Sequence, residues 1–333
     1  MGKQRHVHAL EGKQRHVASP PAELVSRARE GQPLAVARLI SLVEDASPAL
    51  REVAAALAPY TGGAHVLGLT GPPGVGKSTL TSALITAFRA RGKRIGVLAV
   101  DPSSPFSGGA LLGDRIRMHD HTTDPEVFIR SMATRGHLGG LAWATPQALR
   151  VLDAAGCDVI LIETVGVGQS EVDIVSLADT TLVLLAPGMG DGIQAAKAGI
   201  LEVADIFVVN KSDHDGADRT VHDLSHMISL GRREITGPNW RPPIIRTTAT
   251  TGSGLDDLMT ALDTHHTWLV SHGELQTRRT HRAAAEIEAI ALDTLRTRLR
   301  HLHGAEALDT LAKQVAAGEL DPYAAAEAWI ASL

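Results

Sequence analysis

Cysteine, methionine, aromatic side chains and long apolar runs are all scarce in this chain of 333 residues. The single cysteine, Cys157, has no partner for an internal disulfide, and its place beside an apolar strand predicts a packing role. No run approaches the roughly eighteen apolar residues of a membrane span, and the polar, histidine-rich start has no signal-peptide core. These absences predict a soluble protein of a reducing cytoplasm, with no membrane partner.

An excess of charge of either sign is also missing. Lys and Arg number 32 against 37 Asp and Glu, which gives a net charge of −5. Such a balance provides no general attraction to nucleic acid or to an anionic membrane surface. We therefore expect no nucleic-acid partner.

Apolar stretches that alternate with helical segments define the predicted fold. The predicted strands are 66–70, 94–100, 127–132, 158–164, 181–185, 206–209 and 243–248. One of them, DVILIET at 158–164, is almost continuously apolar, which is typical of a parallel strand covered on both faces. The pattern predicts an α/β fold, namely a doubly wound, mostly parallel sheet with its ligand at the carboxyl ends of the strands.

The chain divides into four predicted segments. Residues 2–7 and 12–17 both read GKQRHV, and a perfect terminal duplication is typical of a tag-like or disordered tail. Before the first strand the periodicity is helical, and Ser47 followed by Pro48 predicts a second helix with a serine cap. The segments are a tail at 1–20, a helical extension at 21–60, an α/β domain at 61–262 and a helical dimerisation region at 263–333.

Leucines recur in the last segment with a spacing of three or four residues. They are Leu292, Leu295, Leu299 and Leu302. A helix that packs on its own domain would carry such a stripe, and so would a dimerisation arm. Because the stripe follows the completed α/β segment, we predict a helical dimerisation arm and a homodimer.

Residues 71–79 read GPPGVGKST between a predicted strand and a predicted helix, which satisfies the G-x-x-x-x-G-K-S/T pattern of a P-loop. Glycines let backbone N–H groups approach a polyphosphate without a Cβ collision, and the helix that follows points its N-terminal dipole at the anion. Lys77 would reach the β- and γ-phosphates, and Ser78 would ligate Mg²⁺. The predicted nucleotide contacts of this loop are Gly71, Pro72, Pro73, Gly74, Val75, Gly76, Lys77, Ser78 and Thr79.

A second motif predicts which base is bound. Residues 210–213 read NKSD directly after a predicted strand, as in the N-K-x-D motif of G proteins. A carboxylate can accept hydrogen bonds from both N1–H and the exocyclic amino group of guanine, whereas adenine offers no such pair of donors. The nucleotide is therefore predicted to be GTP or GDP. The predicted base contacts are Asn210, Lys211, Asp213 and, from the turn after the last strand, Thr248, Ala249 and Thr250.

Residues 163–166 read ETVG at the position where GTPases normally carry D-x-x-G. Glu163 could orient a water bound to Mg²⁺, and the amide of Gly166 could meet the γ-phosphate. Val167 stands where Ras-type enzymes carry a water-orienting glutamine. Slow intrinsic hydrolysis, or hydrolysis that uses another group, is expected.

Two aspartates are further candidates for the reaction. Asp101 ends the second predicted strand and could position the attacking water or a metal-bound water, and Asp114 is a candidate metal ligand. A helix cap or a loop salt bridge is the alternative for either residue. The predicted catalytic residues are Lys77, Asp101, Glu163 and Gly166, and the predicted Mg²⁺ ligands are Ser78, Asp101, Asp114 and Glu163.

Taken together, the motifs resemble one known family. They are GPPGVGKST, DPSSP, GGALLGDRIRM, ETVGVGQSE, GMGDGIQAAKAGILEVADIFVVNKSD and TTATTGSG. Over residues 21–333 they are similar to the methylmalonyl-CoA mutase-associated G proteins, the MeaB/MMAA family, also described as ArgK-type. The glutamate at 163 agrees with that family, whereas the GKQRHV repeat does not belong to its pattern.

The resemblance implies a function. It implies a dimeric, metallochaperone-like GTPase of the SIMIBI class that gates adenosylcobalamin loading and protects or reactivates methylmalonyl-CoA mutase. By the same analogy, residues 188–197 form a third switch loop in which Asp191 and Lys197 respond to nucleotide and partner. Gln169 and Glu171 would belong to the second switch.

Two other functions fit parts of the sequence. A metal-delivery GTPase for nickel enzymes needs clustered Cys and His ligands, but this chain has one Cys, and its 16 His are mostly dispersed or in the tail. A transport-related kinase or ATPase is suggested by the ArgK-type description. The NKSD motif argues against it because that motif selects guanine.

Overall fold

The computed structural model of the protein describes most of the chain. The described residues are 20–45, 47–102, 121–134, 144–164, 176–188, 203–230 and 240–331. The predicted tail at 1–20 therefore lies almost wholly outside the described residues.

Among the residues described before the sheet, three helices are present. They are α1 (Pro21–Arg29), α2 (Pro33–Glu44) and α3 (Leu50–Leu57), and a short 3₁₀ turn, Ala58–Tyr60, follows. Both α1 and α2 begin with proline, whose fixed φ and missing N–H suit the first helical position. The predicted start of α3 at Pro48 is wrong by two residues. Ser47 instead forms a turn, in which its Oγ accepts from the Ala49 amide (3.3 Å) and its carbonyl accepts from the Leu50 amide (3.0 Å).

The central sheet has seven parallel strands among the described residues. They are β1 (His65–Thr70), β2 (Ile95–Pro102), β3 (Val127–Thr134), β4 (Val159–Thr164), β5 (Thr180–Leu185), β6 (Ile206–Val209) and β7 (Ile244–Arg246), in the order β3-β2-β4-β1-β5-β6-β7. The helices between them are α4 (Lys77–Ala90), α5 (Ala144–Ala154) and α6 (Ala217–Leu230). The predicted doubly wound α/β fold is confirmed, and β7 is shorter than its predicted span of 243–248.

Alternate residues of the strands pack into two different layers, because side chains of a strand point to opposite faces. On β4, Ile160 and Ile162 pack with α1, α2, α3 and α5, whereas Val159 and Leu161 pack with α4 and with a C-terminal helix, α7 (Leu255–Ser271). All six residues of β4 are buried. The apolar run at 158–164 is thus a central strand covered on both faces, as predicted.

Two further helices complete the described chain, α8 (Glu274–Ala316) and α9 (Pro322–Ala331). The segment boundary predicted at 262 falls inside α7, where Leu262 and Leu269 are both buried. Helix α8 has 43 residues, and its Leu292 and Leu295 are 46% and 53% exposed. Within the described ranges, no helix is both long enough and apolar enough to cross a membrane.

Three arginines attach α8 to the edge of the sheet opposite the P-loop, and we call Arg278, Arg279 and Arg282 the arginine anchor. Arg278 donates to both carboxylate oxygens of Asp205, each at 2.8 Å. Arg279 donates to Asp179 at 2.8 Å, and Arg282 contacts the same carboxylate at 3.4 Å. Since Asp179 and Asp205 precede β5 and β6 and are buried, the anchor joins α8 to the amino ends of two central strands.

Replacing Asp179 with asparagine is expected to destabilise the fold by about 3 kcal/mol, because removing one partner of a buried ion pair leaves the other charge uncompensated. The carboxylate also accepts from the Val66 amide at 3.0 Å, so the substitution weakens a strand contact as well. The matched control is Asp263→Ala, which removes an exposed pair with Arg91 and should cost less than about 1 kcal/mol. Urea unfolding followed by circular dichroism measures both.

The carboxylate of Asp179 should also make the stability of the fold depend on pH in the acidic range. Burial raises the pKa of Asp179, but Arg279, Arg282 and the Val66 amide together hold that pKa below its ordinary value. The stabilisation is therefore present above the unfolded carboxyl pKa of about 3.9 and is lost as pH falls through the folded value. Below about pH 4 the stability of the wild type should fall more steeply than that of Asp179→Asn. Parallel pH profiles of the two proteins would contradict this account.

Candidate nucleotide site

The loop at 71–79 connects β1 to α4 at the carboxyl edge of the sheet. Strand β1 lies between β4 and β5, and α4 begins at Lys77 directly after Gly76. The amino end of α4, which is the positive end of its dipole, therefore faces the loop. This is the arrangement that an anionic ligand requires.

Two of the loop's glycines are required by contacts within the protein. Gly71 has φ 142°, and a Cβ there would lie 2.3 Å from the carbonyl oxygen of Leu184 in β5. Gly76 has φ 93°, and its Cβ would lie 2.5 Å from Nδ2 of Asn210. The approach of a phosphate is therefore not the only reason for glycine in this loop. At these two positions neighbouring strands and loops already exclude a side chain.

Lys77 is buried and folds back over the loop. Its Nζ donates to the carbonyl of Gly71 and to that of Pro72, the latter at 3.3 Å. These two contacts hold the ammonium group against the backbone of the loop. The charge is therefore in place before any anion arrives, which reduces the ordering cost of binding.

Glu163, at the end of β4, is buried against α4. Its Oε1 accepts from Ser78 Oγ at 2.6 Å, and its Oε2 accepts from Thr81 Oγ1 at 2.8 Å. Glu163 is 1% exposed. Ser78 and Glu163, both predicted Mg²⁺ ligands, therefore lie in direct contact. Thr81 was not predicted, although its position three residues after Ser78 places both on one face of a helix.

Asn210 joins three loops at the other side of the P-loop. It follows β6, and its Nδ2 donates to the carbonyl of Val75 at 2.9 Å. Its Oδ1 accepts from Thr247 Oγ1 and from the Ala249 amide, both at 3.1 Å. The NKSD loop, the P-loop and the loop after β7 are thus fixed to one another by a single buried amide.

Asp213 lies beside this junction with 55% of its side chain exposed. Its Oδ1 accepts from Thr248 Oγ1 at 3.2 Å, which orients the carboxylate. Nε2 of His214 lies 3.7 Å from its Oδ2, and both side chains are largely exposed. Lys211 has φ 55°, a left-handed conformation that non-glycine residues adopt at tight turns, and its side chain is exposed. Thr250 is also exposed, in the turn that returns to Ser253.

The remaining predicted site residues are less completely described. The backbone of Asp101 lies in β2. The preceding residue, Val100, is in register with Thr164 of β4. Six predicted residues lie outside the described part of the chain, namely Asp114, Gly166, Gln169, Glu171, Asp191 and Lys197.

A cluster of soft metal ligands is not found in the described part of the chain. Among those residues, no three His, Cys, Asp or Glu side chains are grouped so that they could hold a metal ion. Cys157 is buried under α5 and β2, and burial raises the pKa of its thiol to about 12. The thiol therefore packs as an apolar group, as predicted.

Comparison with known proteins identifies the family. The model described as "Methylmalonyl Co-A mutase-associated GTPase MeaB" matches residues 36–303, which include the P-loop, Glu163 and the NKSD loop. The chain belongs to the MeaB family. The resemblance inferred from the motifs is confirmed.

Relatives of this MeaB-family chain are named GTPases. A putative GTPase of Pyrococcus abyssi (strain GE5 / Orsay) is 48% identical over 305 residues, covering 92% of this chain and 94% of that protein. The GTPase ArgK of Escherichia coli (strain K12) is 35% identical over 300 residues, covering 88% and 89%. The protein is therefore a guanine-nucleotide-binding enzyme that hydrolyses GTP to GDP and phosphate.

Two other similar proteins have more specific names. A methylmalonic aciduria type A homolog of Mus musculus, named as mitochondrial, is 41% identical over 216 residues, covering 64% of this chain and 52% of that protein. A solved structure described as a LAO/AO transport system kinase is 28% identical with a TM-score of 0.69, covering 94% of this chain and 97% of that one. The latter supports the α/β fold over nearly the whole MeaB-family chain.

Proposed function

We propose that this GTPase is a chaperone of an adenosylcobalamin-dependent mutase, methylmalonyl-CoA mutase or a related enzyme. Its GTP cycle would gate cofactor loading and would protect or reactivate the mutase. The observation that carries the proposal is the match to the mutase-associated family over 36–303, which extends from α2 into α8 and so includes more than a nucleotide-binding core. The name of the mouse relative points to the same metabolism.

The base would be read by the half-exposed carboxylate of Asp213. Thr248 donates a hydrogen bond to one oxygen of Asp213. Asn210 fixes the NKSD loop to the P-loop, so the base site and the phosphate site keep a constant separation. A rigid pair of sites favours a ligand whose guanine and polyphosphate fit both at once. The turn formed by Thr248, Ala249 and Thr250 would complete the base pocket.

Mg²⁺ would be held at the Ser78 and Glu163 pair. Both side chains offer oxygen, the donor that Mg²⁺ prefers in proteins. Ser78 Oγ donates to Glu163 Oε1 at 2.6 Å, so the two candidate ligand oxygens are adjacent. A bound Mg²⁺ would neutralise charge on the β- and γ-phosphates. Asp101 and Asp114 are proposed to join this site.

Hydrolysis would proceed by in-line attack of water on the γ-phosphate. The amides at the start of α4 and Lys77 would stabilise the charge on the phosphoryl oxygens, and Asp101 would orient the water. The amide of Gly166 would bind the γ-phosphate. With Val167 in place of a glutamine, we propose a slow intrinsic rate, so that the enzyme serves as a conformational timer.

Release of the γ-phosphate would be signalled through switch segments, since loops ordered by that group relax after hydrolysis. We assign Gln169 and Glu171 to the second switch and Asp191 and Lys197 to a third one that faces the mutase. Asp114 would also respond to nucleotide and partner. Each assignment rests on the family resemblance.

A homodimer would form through the exposed apolar residues of α8. Leu295 is 53% exposed and Ile287 is 68% exposed on α8, C-terminal to the arginine anchor. Replacing Leu295 with arginine should halve the molar mass measured by light scattering, because a charge would be buried in the interface. Leu34→Arg is the matched control, since Leu34 is exposed on α2, and it should leave the mass unchanged. A wild-type protein that is monomeric at every concentration would contradict the dimer.

The direct test of partnership is complex formation with purified methylmalonyl-CoA mutase. We expect the two proteins to co-elute in size-exclusion chromatography, with an affinity that differs between GDP and a non-hydrolysable GTP analogue. Co-elution in neither nucleotide state would contradict the proposal. The GTPase assignment would remain, because it does not depend on the partner.

A further inference from the structure

The buried carboxylate of Glu163 is held by two hydroxyl groups from one helix. Ser78 Oγ and Thr81 Oγ1 donate to different oxygens, at 2.6 Å and 2.8 Å. Strands β1 and β2 flank Glu163 in the sheet, where its register partners are Leu69 and Ala99. Glu163 is therefore fixed at its backbone by the sheet and at its side chain by α4.

The two hydroxyls are not equivalent. Ser78 belongs to the P-loop motif and would use its lone pairs for a cation, whereas Thr81 lies one turn further into α4 and is 0% exposed. Thr81 Oγ1 also lies 3.1 Å from the Lys77 carbonyl, but a hydroxyl has one proton, and a carboxylate is the stronger acceptor. Thr81 therefore holds Oε2 of the carboxylate from a fully buried position, whereas Ser78 contacts Oε1.

We propose that Thr81 is a positioning residue that sets the Mg²⁺ affinity of the site by fixing the carboxylate of Glu163. The inference rests on the Mg²⁺ site described under the proposed function. Groups that hydrogen-bond to a metal ligand without contacting the metal typically lower metal affinity by about 10- to 100-fold when they are removed. Loss of the Thr81 hydroxyl should therefore act on Mg²⁺ and leave nucleotide contacts intact.

The test follows release of a fluorescent GDP analogue from the full chain across a range of free Mg²⁺. In Thr81→Val, the Mg²⁺ concentration that half-maximally slows release should rise about tenfold. The release rate in excess EDTA should equal that of the wild type. Thr81→Ser, which restores the hydroxyl, should return the midpoint to within about twofold of the wild type.

Thr86→Val is the matched control. Thr86 lies on the same helix, and its Oγ1 donates to the Ser82 carbonyl at 3.2 Å, the same contact that Thr81 has with Lys77. Its side chain is exposed and distant from Glu163 in the helix, so Thr86→Val should leave the Mg²⁺ midpoint unchanged.

Two results would overturn the role of Thr81. One is a Thr81→Val midpoint equal to that of Thr86→Val. The other is that Thr81→Val releases GDP faster than the wild type by the same factor in EDTA and in saturating Mg²⁺. That result would indicate a merely structural role for Thr81. If the wild type released GDP at the same rate at all Mg²⁺ concentrations, the proposed Mg²⁺ site would be contradicted as well.

Discussion

Replacing Lys77 with alanine is expected to weaken GDP binding by at least about a hundredfold, which corresponds to roughly 3 kcal/mol. The buried ammonium group is already held against the carbonyls of Gly71 and Pro72, inside the loop that would surround the phosphates. Charge-assisted hydrogen bonds to phosphate oxygens are about twice as strong as neutral ones. Their loss should appear directly in the dissociation constant measured by calorimetry.

The control for this substitution is Lys93→Ala. Lys93 follows the same helix, but its Nζ pairs with Asp158 at the surface, at 3.1 Å. The Lys93→Ala protein should bind GDP with the affinity of the wild type. A Lys77→Ala protein that is folded, by circular dichroism, and retains wild-type GDP affinity would show that the lysine has no phosphate contact.

Asp213→Asn is expected to change the preferred base from guanine to xanthine by about a hundredfold or more in relative affinity. The carboxylate accepts two hydrogen bonds from guanine, whereas an amide can donate to the carbonyl that xanthine carries in place of the amino group. A site built for hydrogen bonds discriminates strongly, because a mismatch leaves buried polar groups unpaired. Competition of GTP, XTP and ATP against a fluorescent nucleotide measures the preference.

Asp215→Asn is the matched control for base selection. Asp215 is an exposed acid two residues along the same loop, and its substitution should leave guanine preference unchanged. Retained guanine selectivity in Asp213→Asn would contradict base reading by that carboxylate. Tighter binding of ATP than of GTP by the wild type would instead favour the kinase or ATPase alternative.

Local patterns were sufficient to predict the fold because its main signals are short in sequence. The strand at 158–164 is apolar on both faces and is a central strand, and GPPGVGKST forms the connection between β1 and α4. In a parallel sheet, loops at the carboxyl ends must meet at one edge. For that reason the sequence could also predict that residues 71–79, Glu163 and 210–213 share one region.

The contacts that organise the site could not be predicted, because they join residues far apart in the chain. Asn210 and Val75 are separated by 135 positions, and Arg279 and Asp179 by 100. Neither the contacts of Asn210 nor the arginine anchor leaves a periodic pattern in the sequence. Thr81 differs, since its spacing from Ser78 was visible, but only the position of Glu163 shows what its hydroxyl contacts.

The measurement that tests the central claim most directly is GTP turnover by the full chain with and without methylmalonyl-CoA mutase. We predict slow hydrolysis by the GTPase alone and a severalfold faster rate when the mutase is added, because the partner would order the switch segments around the γ-phosphate. A Lys77→Ala protein should show no stimulation. An unchanged rate in the presence of the mutase, together with no detectable complex, would contradict the assignment as a mutase chaperone.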